Sequence, residues 1–329
     1  MSRGDSEEKR LDSLAQPEPE SAYSPPSLPE LLEWPEERVA RWVEGFGIPV
    51  VMGWPFNGTR RWYLSHRRSH PDDDRDYLTT LARRQAECHR MVFAHGVRVI
   101  MAPLFGGELL ERGEAYMEYV LGGLSGLAED EVYREMFDDG LRVRFYGDYE
   151  EMLDTPSLRP VLRACESLES ATASGEGPLL MIGLFADEPY PAISRLSVEF
   201  AAEHGRTPDR RELIHAYYGI SLPDLSLYLG FLQPQLFDVP LLATGKEDLY
   251  YTLNPSPGLT EPQLRGILHD HLVTRREPEV ADYSSLSSDA QAALVAHNER
   301  FSGITLGVGR MDPLTGTWLP LLPGDDEFG

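Results

Sequence analysis

The stretch of this chain best equipped for chemistry is Asn57-Gly58-Thr59-Arg60-Arg61-Trp62. Gly58 lets a backbone approach a ligand closely, Thr59 can cap a helix and leave N–H groups turned outward, and two consecutive arginines present fixed guanidinium forks. Together these residues suit the binding of a phosphate group at a helix start. Taken alone, an Arg-Arg pair after a turn reads better as ordinary surface, so its setting decides. The apolar run Ile48–Met52 just before it reads as a short buried strand, which puts the cradle where a strand gives way to a loop or a helix start.

The elements that must position it follow in order. Residues 1–27 are rich in Ser, Glu, Pro and Asp and read as a disordered tail, and residues 28–329 as one domain. Leu28 to Val43 has helical spacing and predicts a short lead-in helix. After the cradle, His66–Asp74 is polar and broken by Pro71, which predicts a loop; a helix is expected over Asp76–Ala94, closed by His95-Gly96. Strands are expected at 97–102, 141–146, 179–185, 225–231, 249–252 and 304–308, and helices at 108–124, 129–138, 157–170, 191–203, 210–217, 261–273 and 288–299. This alternation predicts an α/β fold with a mostly parallel central sheet flanked by helices. Ligands gather at the carboxyl ends of such strands, where the cradle, Pro103–Gly107, Gly147-Asp148 and Ala186–Glu188 all fall.

Composition narrows the partners. The 329 residues carry a net charge of −24, so the long-range field repels nucleic acid and anionic membrane, and the arginines after position 60 form a local positive island suited to a small polyanion. Cys88 and Cys165, the two cysteines, sit in apolar helical patterns and read as buried free thiols in a reducing compartment. No apolar run reaches membrane-spanning length and no apolar leader begins the chain, so no stable membrane insertion and a cytoplasmic location are expected. His269-Asp270-His271 looks like a metal cluster, but i, i+2 side chains on a helix diverge, so a structural role is expected. The acidic run Asp72–Asp74 with Asp76 reads as solvation and helix capping rather than a metal motif.

Several motifs together resemble one superfamily. Asn57 to Trp62 resembles the Asp-Gly-Asn-Gly-Arg-Trp signature of cis-prenyltransferases, Val143–Asp148 their Arg-Phe-Ile-Gly-Asp strand, and Asp248-Leu249-Tyr250-Tyr251 their Glu-Leu-Tyr-Phe. Phe56 to Trp62 is more similar still to the Phe-Asp-Gly-Thr-Arg-Arg-Trp of the tuberculosinol-synthase branch. That likeness continues in consistent order through Leu109–Tyr116, Arg210–Ile214, His269–His271 and Asp282–Ser284.

The resemblance implies an enzyme that ionises a C15–C20 prenyl diphosphate, linear or pre-cyclised, and releases diphosphate. The carbocation would be quenched by water, passed to a nucleoside or other small acceptor, or cyclised. It implies diphosphate binding by Gly58, Thr59, Arg60 and Arg61, active-site roles for Asn57, Tyr77 and Tyr116, and an isoprenoid tunnel walled by Trp62, Phe105, Phe185 and Phe231. Mg²⁺, with Asp248 as a ligand, and a homodimer are further expectations of the family. Asn57 departs from the family aspartate: it keeps an oxygen acceptor and loses the negative charge. Altered metal use, arginine-only chemistry and a catalytically weak partner subunit therefore all stay open. Chain elongation is disfavoured, because no Arg-x-x-x-x-x-Arg-x-Ser pattern lies between Leu229 and Tyr250.

Overall fold

The computed structural model describes residues 25–322 except 74, 107–129, 157, 187, 237 and 277–282. The helix expected at 108–124, with Tyr116, lies outside the described residues. The strands are β1 (Val51–Gly53), β2 (Val99–Phe105), β3 (Arg142–Tyr146), β4 (Leu179–Leu184), β5 (Leu227–Phe231), β6 (Asp248–Thr252), β7 (Gly309–Asp312) and β8 (Thr317–Pro320). The α-helices are α1 (Leu28–Glu33), α2 (Glu36–Glu44), α3 (Thr59–Ser69), α4 (Tyr77–Ala94), α5 (Glu131–Asp138), α6 (Tyr149–Leu153), α7 (Arg159–Thr172), α8 (Pro189–His204), α9 (Arg210–Tyr218), α10 (Glu261–Leu272) and α11 (Ser288–Phe301).

The first six strands form one parallel sheet in the order β3-β4-β2-β1-β5-β6. Successive residues send their side chains to opposite faces, and both faces are apolar. Met52, Ile100, Leu180 and Leu229 enter one core with α4, α5, α7 and α10, while Val51, Met101, Met181 and Tyr228 enter a second with α9. That double burial explains why the strands read as continuous apolar runs rather than as alternating ones. From β1 the chain crosses to β2 on one side, and from β5 it crosses to β6 on the other, so the adjacent carboxyl ends of β1 and β5 form a topological switch point.

Several expectations are corrected. The lead-in is two helices, because Pro35 lacks the N–H that would continue α1, and the buried Arg265 guanidinium donates to the carbonyls of Leu31 (2.9 Å), Leu32 (3.1 Å) and Trp34 (2.6 Å) instead. Pro26 and Ser27 belong to the folded part: Pro26 is buried and its carbonyl lies 2.9 Å from the His269 ring. Residues 66–69 are the last turn of α3 rather than loop; polarity misled there because no residue of this helix is buried. Its basic last turn suits the negative helix end, and the stacked Trp62–His66 pair, 4.9 Å between ring centres, adds an i, i+4 contact. Residues 304–308 are not a strand, and the antiparallel hairpin β7–β8 follows instead. The short helix α6 was not anticipated.

Cys88 and Cys165 are buried and free, as read from the sequence. His89, beside Cys88 on α4, is 1% exposed; its Nδ1 lies 2.8 Å from the Tyr133 hydroxyl, and its ring packs against Trp54 and Phe56. Burial pushes the imidazole down from 6.5 to about 3. Stability that depends on the neutral ring is therefore fully present above pH 6.5 and is lost as the pH falls from 6.5 toward 3. Melting temperatures measured between pH 7 and 4 should fall less steeply in the His89→Phe/Tyr133→Phe double variant than in the parent; equal slopes would show that this imidazole is not an acid-sensitive element.

Candidate active site

The segment after β1 is fixed from below by burial and from the side by hydrogen bonds. Trp54 is fully buried and its N–H donates to Met101 O at 2.8 Å, continuing the sheet one residue beyond the strand. Its ring meets that of Phe56 edge to face at 5.3 Å. The exposed Asn57 comes next, its backbone gripped by a residue 199 positions away: Asn57 N–H donates to Ser256 Oγ (3.1 Å) and Ser256 N–H donates to Asn57 O (3.0 Å). The same Ser256 hydroxyl donates to Pro55 O at 3.2 Å.

Ser256 is 2% exposed, and its own loop is held by α4, where Arg84 donates to Pro257 O (2.7 Å) and Leu259 O (3.2 Å). Neither contact was foreseen. The Pro-Ser-Pro-Gly run at 255–258 signals a turn, but no local signal reveals which distant backbone such a turn grips.

Gly58 then turns the chain into α3 with φ of 76°, a left-handed conformation. A Cβ there would fall 2.6 Å from the Phe231 ring and 2.9 Å from Pro255, so glycine is required by both conformation and space. The helix begins at Thr59 with no side-chain cap, and the N–H groups of its first turn have no acceptor within the helix. Thr59 Oγ1 lies 2.6 Å from the Tyr77 hydroxyl, and the Tyr77 ring meets Tyr63 at 5.0 Å. The structure thus brings Tyr77 to the first residue of α3.

Arg60 and Arg61 are both exposed. The Arg61 guanidinium lies 5.1 Å from the centre of the Phe231 ring, a cation–π contact that aims it across the switch point. It opens into a cavity of about 360 Å³ lined by residues after β1 (Pro55, Asn57), by β5 and the residues after it (Tyr228, Gly230 to Gln233, Gln235) and by the β7–β8 hairpin (Gly316 to Trp318). The described residues of the other anticipated strand ends are not among those lining this cavity. Gly147-Asp148 and Phe185 meet one another across β3 and β4, with Asp148 N–H donating to Phe185 O at 3.2 Å.

The expected tunnel wall is not assembled by the described residues. Phe231 lines the cavity, Phe185 is 7% exposed in the core, and Trp62 stacks on His66 along α3. The side chain of Phe105, at the end of β2, lies outside the described residues, as does Tyr116.

Asp248 is a correction. It opens β6 in register with Leu227, so it sits at the amino edge of the sheet, whereas Phe231 and the cradle sit at the carboxyl edge. Its carboxylate is already taken by the His271 ring (2.6 Å), Arg276 (3.1 Å) and Arg275 (3.3 Å). A motif match locates a residue on a strand but not the end of the strand that faces the ligand. His271 is held in this cluster, Asp270 accepts from the Tyr250 hydroxyl, and His269 meets Pro26, so the His-Asp-His run is structural as expected. Asp76 caps α4 by accepting from Thr79 N–H, and Asp73 binds Arg75 and His66.

For Mg²⁺ the donor set decides. Among the described residues the cavity lining has no carboxylate; it has neutral amide and carbonyl oxygens beside a guanidinium. Protein-held Mg²⁺ ordinarily takes one or two carboxylates besides substrate phosphates, so these residues do not fit it. No group of three or more His, Cys, Asp or Glu suited to a metal occurs among the described residues.

No family model matches the chain. It is 36% identical over 262 residues, 79% of this chain and 87% of the relative, to a tuberculosinyl adenosine transferase of Mycobacterium tuberculosis. It is 24% identical over 301 residues to a (+)-kolavelool synthase of Herpetosiphon aurantiacus, covering 90% and 96% of the two chains. Its fold matches lavandulyl diphosphate synthase of Lavandula x intermedia, solved with dimethylallyl diphosphate, at a TM-score of 0.54 with 13% identity, over 68% of this chain and 94% of that one. The central sheet is thus that of the cis-prenyltransferase fold.

The Ser256→Ala variant should weaken binding of inorganic diphosphate about tenfold with an unchanged circular dichroism spectrum, since losing this tie costs about 1–3 kcal/mol of positional order at Asn57 and Gly58. Undiminished binding would show that the tie does not shape the cradle.

Proposed function

This chain belongs to the tuberculosinyl adenosine transferase family, and on that premise we propose that it ionises a C15–C20 prenyl diphosphate at the start of α3 and hands the carbocation to water or a small acceptor. It is an enzyme of prenyl diphosphate chemistry. The observation that carries the site assignment is the left-handed Gly58 turn, which starts α3 directly after Asn57 and sets Arg61, in the first turn, at the wall of the cavity at the β1/β5 switch point.

The reaction breaks the allylic C–O bond, and both electrons leave with the diphosphate. Charge therefore develops on the bridging oxygen and spreads over the phosphates. Donors already aimed at that position stabilise it without reorganising, and this is the main way such sites lower the barrier. Here the donors are the first-turn N–H groups of α3, reinforced by the helix dipole, and the guanidinium of Arg61. Arg60 adds positive charge on the same turn. Asn57 stands at the cavity wall as a neutral amide that donates to a phosphate oxygen but takes no proton. Tyr77 acts through Thr59, fixing the first residue of the helix; its ring face also suits a neighbouring cation. The acceptor lone pair then closes on the allylic carbon, and a proton it sheds passes to solvent or to the released diphosphate.

In this reading arginine takes over the charge that a carboxylate-held metal would otherwise balance. Two expectations of the family enter on its pattern alone: a homodimer, checked by light scattering, and a nucleoside as one acceptor, suggested by the name of the 36% relative. No helix among the described residues is long and apolar enough to cross a membrane.

Incubation with farnesyl, geranylgeranyl and class II-cyclised diphosphates should release diphosphate from at least one of them, and Arg61→Ala should slow that release about 10²–10³-fold. No release from any of the three would refute the proposal. Asn57→Asp, which restores a carboxylate, should make the rate depend more steeply on added Mg²⁺; an unaltered dependence would place metal handling away from this position.

A further inference from the structure

We infer that Gln233, Gln235 and Trp318 form the acceptor subsite of this enzyme, completed by the C-terminal hairpin and shaped for a neutral heteroaromatic ring rather than a second diphosphate; the inference rests on the ionisation reading above. The chain leaves β5 through Leu232, whose φ of 57° is rare for a side chain branched at Cγ and whose N–H donates to Thr252 O at 2.9 Å. That turn redirects the following residues into the cavity shared with Arg61. The backbone of Gln235 is held by the Tyr251 hydroxyl, 3.0 Å from Gln235 O, and the Gln235 amide nitrogen lies 3.4 Å from Gln233 Oε1. Paired in this way, the two amides leave one carbonyl oxygen and one NH₂ group for a ligand edge that carries both a donor and an acceptor. An amide oxygen and an NH₂ group are the two functions that match the donor–acceptor edge of adenine.

The stacking surface comes from the hairpin. Trp318 lies over Gly309 on the paired strand, where a Cβ would fall 2.3 Å from the indole, so the missing side chain makes the berth for the ring. Gly307, just before β7, approaches Pro234 so closely that a Cβ would lie 3.2 Å from it, which presses the hairpin onto the glutamine loop. Among the described lining residues Arg61 is the one charged side chain. A second diphosphate would therefore meet neutral amides in a protein of net charge −24, with no further cation among those residues to balance it. A neutral base would meet an aromatic face and an amide edge in the same cavity that Arg61 lines.

The test titrates adenosine into the full-length protein saturated with a non-ionising prenyl thiolodiphosphate, and separately measures the ratio of nucleoside adduct to prenyl alcohol with the ionising substrate. Adenosine affinity should fall about tenfold or more in Gln233→Leu/Gln235→Leu and in Trp318→Ala, with the adduct-to-alcohol ratio falling in step, while Trp318→Phe recovers most of the loss. The glutamines are exposed, so that variant retains its fold even where a tryptophan replacement disturbs the hairpin. Equal adenosine affinity in the parent and the glutamine variant, no adenosine binding by the parent, or binding of isopentenyl diphosphate in its place would each overturn the subsite. Adenosine binding that is lost in the variants, from a protein that releases no diphosphate, would leave the subsite standing and remove the ionisation reading instead.

Discussion

Much of this molecule turns on one tie, the pairing of Ser256 with the backbone of Pro55 and Asn57. A buried hydroxyl and a buried N–H hold the end of β1 against a loop almost two hundred residues further on. Gly58 can then be left-handed at a defined place, α3 can begin there, and Arg61 can lie over Phe231 rather than sweep through solvent. The Arg84 contacts to Pro257 and Leu259 extend the constraint into α4, the helix that also carries Tyr77 to Thr59. Cradle, loop and helix are in this sense one mechanical unit. Preorganisation of that kind allows exposed groups to act on a leaving group without a large reorganisation cost.

The electrostatic setting follows from the topology. A strongly acidic protein can bind a small polyanion if its donors converge locally, and a parallel sheet makes such a place at the carboxyl ends where its crossovers diverge. Arginine suits the position because its planar fork stays charged and stacks on Phe231 at once. With Asn57 in the wall and no carboxylate among the described lining residues, the cavity offers no anionic ligand to a bare cation. The same lack of charge on the glutamine side separates two roles within one cavity, a leaving-group end and an acceptor end.

Most of the sheet was legible because its strands are buried on both faces, and runs such as Leu179–Leu184 leave little else for the chain to be. The cradle was legible because glycine, threonine and paired arginines carry their chemistry in their types. Ser256 was not, since an isolated serine gives no sign of which backbone it will grip across a long sequence separation. The hairpin around Trp318 escaped notice because its residues are largely half-exposed and lack strand-like alternation. Asp248 was misplaced because the motif fixed its strand but not the strand end, and parallel pairing with β5 put it at the edge opposite Phe231. Residues 66–69 were misread because a helix with no buried face offers no apolar period to detect.

In the proposed reaction the diphosphate sits on the first turn of α3 beside Arg61. A crystal structure with a prenyl thiolodiphosphate, in which sulfur replaces the bridging oxygen and blocks ionisation, tests it most directly. Phosphate oxygens are expected within hydrogen-bond distance of the N–H groups following Gly58 and of the Arg61 guanidinium, with Asn57 at the edge of the group. A diphosphate seated at the opposite edge of the sheet, on Arg275 and Arg276, or elsewhere with the α3 start empty, would contradict it.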